Sequence, residues 1–141
     1  MFDPISTYRI QFHAAFTFTD FEKTIPYLNE LGINTIYASP VYEAVPGSMH
    51  GYDGVNPNKI NPEIGTLEQL RDISKTLKGL GMSWIQDIVP NHMGFHQQNA
   101  WLMDVLKNGE SSAYRTYFDI VSTNLDEDPL MVPFQARTGK C

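Results

Sequence analysis

The chain has 141 residues, 42% of them hydrophobic and 18% charged, the proportions of a folded globular protein and not of a disordered one. Sixteen acidic against ten basic residues give a formal charge of −6, and the Lys and Arg are scattered, which excludes a basic stripe and with it nucleic acid as a partner. The single cysteine, Cys141, rules out an internal disulfide framework, and no run reaches the ~18 apolar residues of a membrane span.

Met1-Phe2-Asp3-Pro4 has an acid and a proline where a secretory signal has a basic start and an apolar run, so a cytoplasmic location without membrane attachment is expected. A neutral ligand such as a sugar fits the charge balance, because it needs aromatic faces and hydrogen-bonding groups in place of a strong field. The sequence carries no signal for an oligomeric state.

Tyr8, Ile10 and Phe12 alternate with Arg9 and Gln11, the period-two pattern of a strand whose two faces are differently occupied. Thr19 and Glu22 stand at capping-box spacing ahead of Phe21, Ile25, Leu28 and Leu31, which share one helical face, and Gly32 follows as a stop. Pro26 within that run predicts a kink or a late helix start. Ile33 to Ala38 reads as a second strand ended by Ser39-Pro40, and the stretch punctuated by Pro46, Gly47, Gly51, Gly54, Pro57 and Pro62 reads as a long irregular loop.

Thr66 with Gln69 offers another capping box, before Leu67, Leu70, Ile73, Leu77 and Leu80 at helical spacing and Gly81 as a stop. Trp84, Ile85, Ile88 and Val89 form a third strand, and its nearly continuous apolar character predicts cover on both faces. Asn99 to Leu106 suits a short helix, and Tyr114 to Val121 an extended aromatic segment. The alternation of strand and helix with short αβ turns implies an α/β fold with a parallel sheet, in which ligands meet the carboxyl ends of the strands. The second βα loop and the loop after the third strand therefore share one rim.

Two clusters on that rim can carry chemistry. Ser48-Met49-His50-Gly51-Tyr52-Asp53-Gly54 puts an imidazole, a phenol and a carboxylate in a glycine-flanked loop, where a ring can stack on a pyranose and His50 and Asp53 can bond its hydroxyls. The same spacing suits a turn with a packed tyrosine. Asp87, Asn91 and His92 follow the third strand; His92 can bind a hydroxyl, act as a base or ligate a metal, and Asp87 serves equally well as a buried tie between loop amides.

His92 and His96 are four apart, but no Glu follows His92 and Met93-Gly94-Phe95 reads as loop, which weakens a metal site. His13, just past the first strand, can also reach the rim, or be satisfied locally. Asp53 and Asp87 are a formal pair of carboxylates for a glycosidase, which needs ~5 Å between them for retention or ~6.5–9.5 Å for inversion.

The ordered set TYRIQF, YLNELGINTIYASPVYEAVPGSMHGYD, NPEIGTLEQL, DIVPNHM and NAWLMDVLKNG to YFDI, covering about Thr7 to Ile120, resembles the α-amylase clan of glycoside hydrolases and, within it, the maltooligosyl trehalose synthases. The resemblance implies an incomplete (β/α)8 TIM barrel, with residues 1–98 holding the first three βα units and residues 99–141 starting the insertion after strand 3. A whole barrel needs about 250 residues. It further implies a maltooligosaccharide substrate whose reducing-end α-1,4 linkage becomes an α,α-1,1 linkage by intramolecular transglycosylation. Other clan glycosidases or glucosyltransferases, and a noncatalytic carbohydrate-binding α/β domain, are the alternatives.

By the same resemblance, His50 and Tyr52 line the subsite of the sugar to be cleaved, His92 bonds that sugar, and Asp87 buttresses the site, so the Asp53–Asp87 pairing is disfavoured. Asn91 matches a calcium-binding position of many amylases, but trehalose-forming relatives generally work without that ion, so neither metal nor cofactor is carried over. The catalytic carboxylates of the clan follow the fourth, fifth and seventh strands, and none is assigned here. Leu130 to Phe134 still resembles relatives, whereas Gln135 to Cys141 does not, an ending that a truncation or a shifted reading frame would produce.

Overall fold

The computed structural model describes residues 3–120, which fall into two compact units, the first ending at Gly94 and the second starting at Phe95. The first unit contains β1 (Thr7–Ile10), α1 (Phe18–Glu30), β2 (Thr35–Ala38), β3 (Tyr42–Ala44), β4 (Gly54–Ile60), α2 (Leu67–Gly79) and β5 (Ser83–Gln86). Strands β1, β2 and β5 form a parallel sheet in that order, with Arg9, Tyr37 and Ile85 in one row across it and Tyr8, Ile36 and Trp84 in the next. No helix among the described residues is long and apolar enough to cross a membrane.

One face of this sheet is apolar. Ile10, Phe12, Ile36 and Ala38 pack with Phe18, Phe21, Ile25 and Leu28 of α1 and Ile73 and Leu77 of α2. Phe12 is the centre of the packing, meeting Phe18 and Phe21 edge-on at 5.0 and 5.6 Å and stacking on Trp84 at 6.0 Å. Each such edge or stack adds about 0.5–1.5 kcal/mol to the area it buries.

Helix α1 starts earlier than its spacing predicts. The box that forms joins Thr17 and Asp20, not Thr19 and Glu22: the Asp20 carboxylate accepts from the Thr17 amide at 3.0 Å and from its hydroxyl at 2.8 Å. The cause is tertiary. Phe18 is fully buried and its N–H donates to Ile64 O at 2.8 Å, which fixes the first turn, while the Thr19 hydroxyl accepts from Gln69 Nε2 on α2. The late start that Pro26 suggested does not occur: the helix runs through it to Glu30 without the bond that its missing N–H would make. Leu31 is the C-cap, 55% exposed, and takes no part in the buried face.

The capping box of α2 forms as predicted, Gln69 N donating to Thr66 Oγ1 and Thr66 N to Gln69 Oε1. Of its apolar row only Ile73 and Leu77 are fully buried, and Leu67 and Leu80 at the ends are exposed. The stretch expected to be irregular holds an antiparallel ribbon of β3 and β4, with register shifts on either side of Glu43, whose carboxylate bonds Asn56 and Lys59. Its prolines and short strands hide the pattern from sequence.

The third strand of the sheet, β5, is shorter than predicted and covered on one face only. Asp87 N donates to Ala38 O and Gln86 Nε2 to Ser39 O, which ends the ladder and leaves Ile88 and Val89 in the loop. Ile85 is 43% and Ile88 62% exposed, whereas Trp84 packs into the core. In the second unit Asn99 caps α3 (Ala100–Asn108), its Oδ1 accepting from Leu102 N. Residues Arg115–Tyr117 make a 3-10 turn in place of the extended segment, because Trp101, Tyr114 and Tyr117 close into a ring cluster. Val121, the segment Leu130 to Phe134 and the divergent tail lie outside the described residues.

The Asp20 box makes α1 sensitive to acid. The Thr17 amide, then its hydroxyl, with Lys23 contributing less, hold the Asp20 carboxyl below its ordinary value. A lowered folded-state pKa gives stability that is complete above the ordinary carboxylate value of about 4 and is lost as pH falls through the lowered one. Asp20→Asn is therefore expected to melt below the parent chain at neutral pH, and the two melting curves should converge as the pH is lowered below about 4.

Candidate functional site

The second face of the parallel sheet is largely polar: strand alternation puts Arg9, Gln11, Tyr37 and Asp87 on it, with Ile85 the apolar member of the row. Asp87 Oδ2 accepts two phenol protons, from Tyr37 Oη at 2.9 Å and from Tyr52 Oη at 2.6 Å. The first donor belongs to β2 and the second to the loop between β3 and β4. A single carboxylate oxygen thereby ties the end of β5 to the neighbouring strand and to the glycine-flanked loop.

That loop is braced internally. Ser48 Oγ donates to Asp53 Oδ1 at 2.5 Å and accepts from Gly51 N at 3.1 Å, so Asp53 is a brace of the turn. Gly51 has φ +76° and lies against β2's exit, where a Cβ would stand 2.7 Å from Pro40 O. His50 Nδ1 accepts from Tyr52 N at 3.1 Å, which puts the neutral ring's proton on Nε2, a donor for a hydroxyl. The His50 and Tyr52 rings stack at 5.8 Å and 29°. The side chain of His50 is half exposed.

Beside this loop a cleft of about 250 Å³ is lined by Pro40, Tyr42, Gly51, Asp87, Pro90 and His92, among others. His92 Nδ1 lies 3.1 Å from Asn91 Oδ1, an acceptor that holds the Nδ1 proton and leaves Nε2 as an acceptor in the neutral ring. The structure thus joins His50, Tyr52 and Asp87 through bonds and stacking, and places Asp87 and His92 on one cleft. Asp53 and Asp87 are each taken up by hydroxyl donors, as loop anchors are.

The remaining histidines are satisfied locally: His13 Nδ1 accepts from Ala15 N, and His96 Nδ1 from Gln98 N. Among the described residues no three His, Cys, Asp or Glu side chains converge as a metal site would require.

Sequence reasoning missed Arg9, Gln11 and Tyr37 as parts of the site. Arg9 donates to Gln11 Oε1 at 3.0 Å and to Tyr52 Oη at 3.2 Å, and its guanidinium carbon lies 6.0 Å from the Tyr37 ring centroid. The available signal was the alternation through β1 and just past it: with Ile10 and Phe12 on the core face, Arg9 and Gln11, which alternate with them, had to face the other way.

Donation to Asp87 raises the Tyr37 phenol above its ordinary value, with burial and the Asp87 charge adding to the effect. The stabilisation this bond gives is complete below the ordinary tyrosine value of about 10 and is lost as pH rises through the raised one. In an alkaline titration followed at the tyrosinate band, the component missing from Tyr37→Phe is expected to shift down in Asp87→Asn. An unmoved component would disprove the bond's influence.

The family model described as "Alpha amylase, catalytic domain" matches residues 21–138. A Mycobacterium tuberculosis (strain ATCC 25618 / H37Rv) protein, whose own naming as a maltooligosyl trehalose synthase is provisional, is 46% identical over 126 residues, 84% of this chain and 16% of that protein. The Bacillus subtilis (strain 168) intracellular maltogenic amylase is 36% identical over 104 residues, 74% of this chain and 17% of its own length. The solved maltooligosyltrehalose synthase of Arthrobacter ramosus superposes with a TM-score of 0.80 at 43% identity, covering 83% of this chain and 16% of that one. The chain therefore spans about a sixth of the length of these relatives, and its three-stranded parallel sheet is part of an incomplete (β/α)8 barrel. On the polar strand ends, the loop they anchor and these matches together, the chain belongs to the alpha-amylase family.

Proposed function

We propose that this chain is the N-terminal portion of a cytoplasmic enzyme of trehalose formation, one that turns the reducing-end α-1,4 linkage of a maltooligosaccharide into an α,α-1,1 linkage by intramolecular transglycosylation. The observation that carries the proposal is the His50–Tyr52 stack held to the strand ends by the Tyr52–Asp87 bond. A partly exposed ring on a braced loop is a platform for a pyranose face, and a neutral sugar needs such platforms and directed donors. Residues 1–98 would be the barrel part and residues 99–141 the start of the inserted subdomain.

In this assignment Tyr52 stacks on the sugar to be transferred, and His50 donates to its hydroxyls through Nε2. His92, oriented by Asn91, bonds the same sugar. Asp87 holds the platform in place, and Asp53 shapes the loop from within. A retaining mechanism suits the product: a carboxylate captures the glycosyl group, an acid/base residue assists departure, and the freed glucose returns through its anomeric hydroxyl. Those carboxylates belong to later strands. Exclusion of water favours transfer over hydrolysis.

Assayed on maltopentaose, the full-length protein carrying this segment is expected to consume reducing ends without releasing a matching amount of glucose. Tyr52→Ala and His92→Ala should each lower kcat/KM on the order of 10²-fold, the cost of letting a reacting sugar slip from its near-attack position. Stoichiometric glucose release would identify a hydrolase instead. The 141-residue chain alone should leave maltopentaose unchanged, and turnover by it that His92→Ala abolishes would overturn the assignment.

A further inference from the structure

We propose that Arg9 is a positioning residue for the sugar platform, acting through the Tyr52 hydroxyl to fix the ring's place over the strand ends. The proposal rests on the assignment of Tyr52 as that platform. A phenol has one proton, and Tyr52 gives its proton to Asp87 at 2.6 Å; its oxygen then accepts from Arg9 Nη2 at 3.2 Å. The result is a chain of cation, hydroxyl and carboxylate in which every proton has one direction.

The other arm of the guanidinium fork does a second job. Arg9 Nη1 donates to Gln11 Oε1 at 3.0 Å, which turns the Gln11 amide so that Nε2 donates to Met49 O at 2.7 Å. Strand β1 and Gln11 just past its end therefore grip the loop on both sides of His50-Gly51, at the Met49 carbonyl and at the Tyr52 hydroxyl. The Tyr37 ring below Arg9 shares the same Asp87 oxygen, so the fork cannot tilt without disturbing a partner of the anchor.

Stability does not account for this arrangement. Arg9 is exposed, lies on the face opposite the aromatic core, and in these bonds donates to neutral oxygens, where surface contacts contribute little. A lysine cannot replace it, because one ammonium does not span both acceptors in the planar fork.

The test is a mutant cycle in the full-length protein with maltopentaose as probe. Arg9→Met is expected to lower kcat about tenfold or more, with a smaller change in KM, and to raise the share of glucose over trehalosyl product, since misplacement acts on the transfer step. Tyr52→Phe, which keeps the ring but removes the hydroxyl through which Arg9 acts, should have a similar effect, and the double variant should be no worse than either alone by more than about threefold. Arg9→Lys should recover only part of the loss, and the melting temperatures of the two Arg9 single variants should stay close to the parent's.

Unchanged kcat and product share in Arg9→Met, with Tyr52→Ala impaired, would overturn the positioning role alone. Losses that multiply in the double variant would do the same. A fully active Tyr52→Ala would overturn the platform assignment and this proposal with it.

Discussion

Asp87 Oδ2 accepting from two phenols is the interaction on which the site depends. A carboxylate at a strand end ordinarily turns to water or to loop amides. Here its charge is met by hydroxyls from β2 and from the β3–β4 loop, and charge-assisted hydrogen bonds of this kind are roughly twice as strong as neutral ones. Without it the loop would meet the sheet only through the Arg9 and Gln11 side chains and through the close approach of Gly51 to Pro40. The upward shift of the Tyr37 phenol is the same interaction seen from the donor's side.

The anchor works because the strands beneath it are held in register. Parallel pairing sets Arg9 beside Tyr37 and Tyr37 beside Ile85, and the aromatic group around Phe12 locks the opposite face of the same strands to α1 and α2. A one-residue slip would turn each polar side chain into the core. Burial of Phe12, Phe18 and Phe21 and the placing of Arg9, Tyr37 and Asp87 are therefore one constraint read on two faces of a sheet. Specificity of the core serves the rim through period two.

How much of this was legible depends on whether a feature is local. The capping box of α2 involves residues three apart, and it formed where Thr66 and Gln69 predicted. The box of α1 moved to Thr17 and Asp20 because a carbonyl far along the chain, Ile64 O, claims the amide of Phe18, which no local rule can see. Alternation placed Arg9 and Gln11 on the correct face, but their partners Tyr52 and Met49 are some forty residues away. The apolar run into Val89 read as a doubly covered strand, yet Asp87 N ends the pairing on Ala38 O and leaves Ile88 in the open. His50, Tyr52, Asp87 and His92 were visible as chemistry in sequence, whereas the bond that makes three of their environments one site is tertiary.

For the sugar ligand proposed above, the bracing of the loop has a physical reason. A neutral pyranose offers no charge to pull against, only a ring face and hydroxyls that water already satisfies, so each contact returns a small net free energy. A loop that had to order itself on binding would lose about 1–2 kcal/mol per residue fixed, enough to cancel several such contacts. The Ser48–Asp53 bond, the Gly51–Ser48 bond and the acceptance of Tyr52 N by His50 order the turn in advance, and Asp87 and Arg9 fix it to the strands. Ordering is thus done during folding, where the aromatic core offsets it, and the stacking face is left to act on its ligand alone.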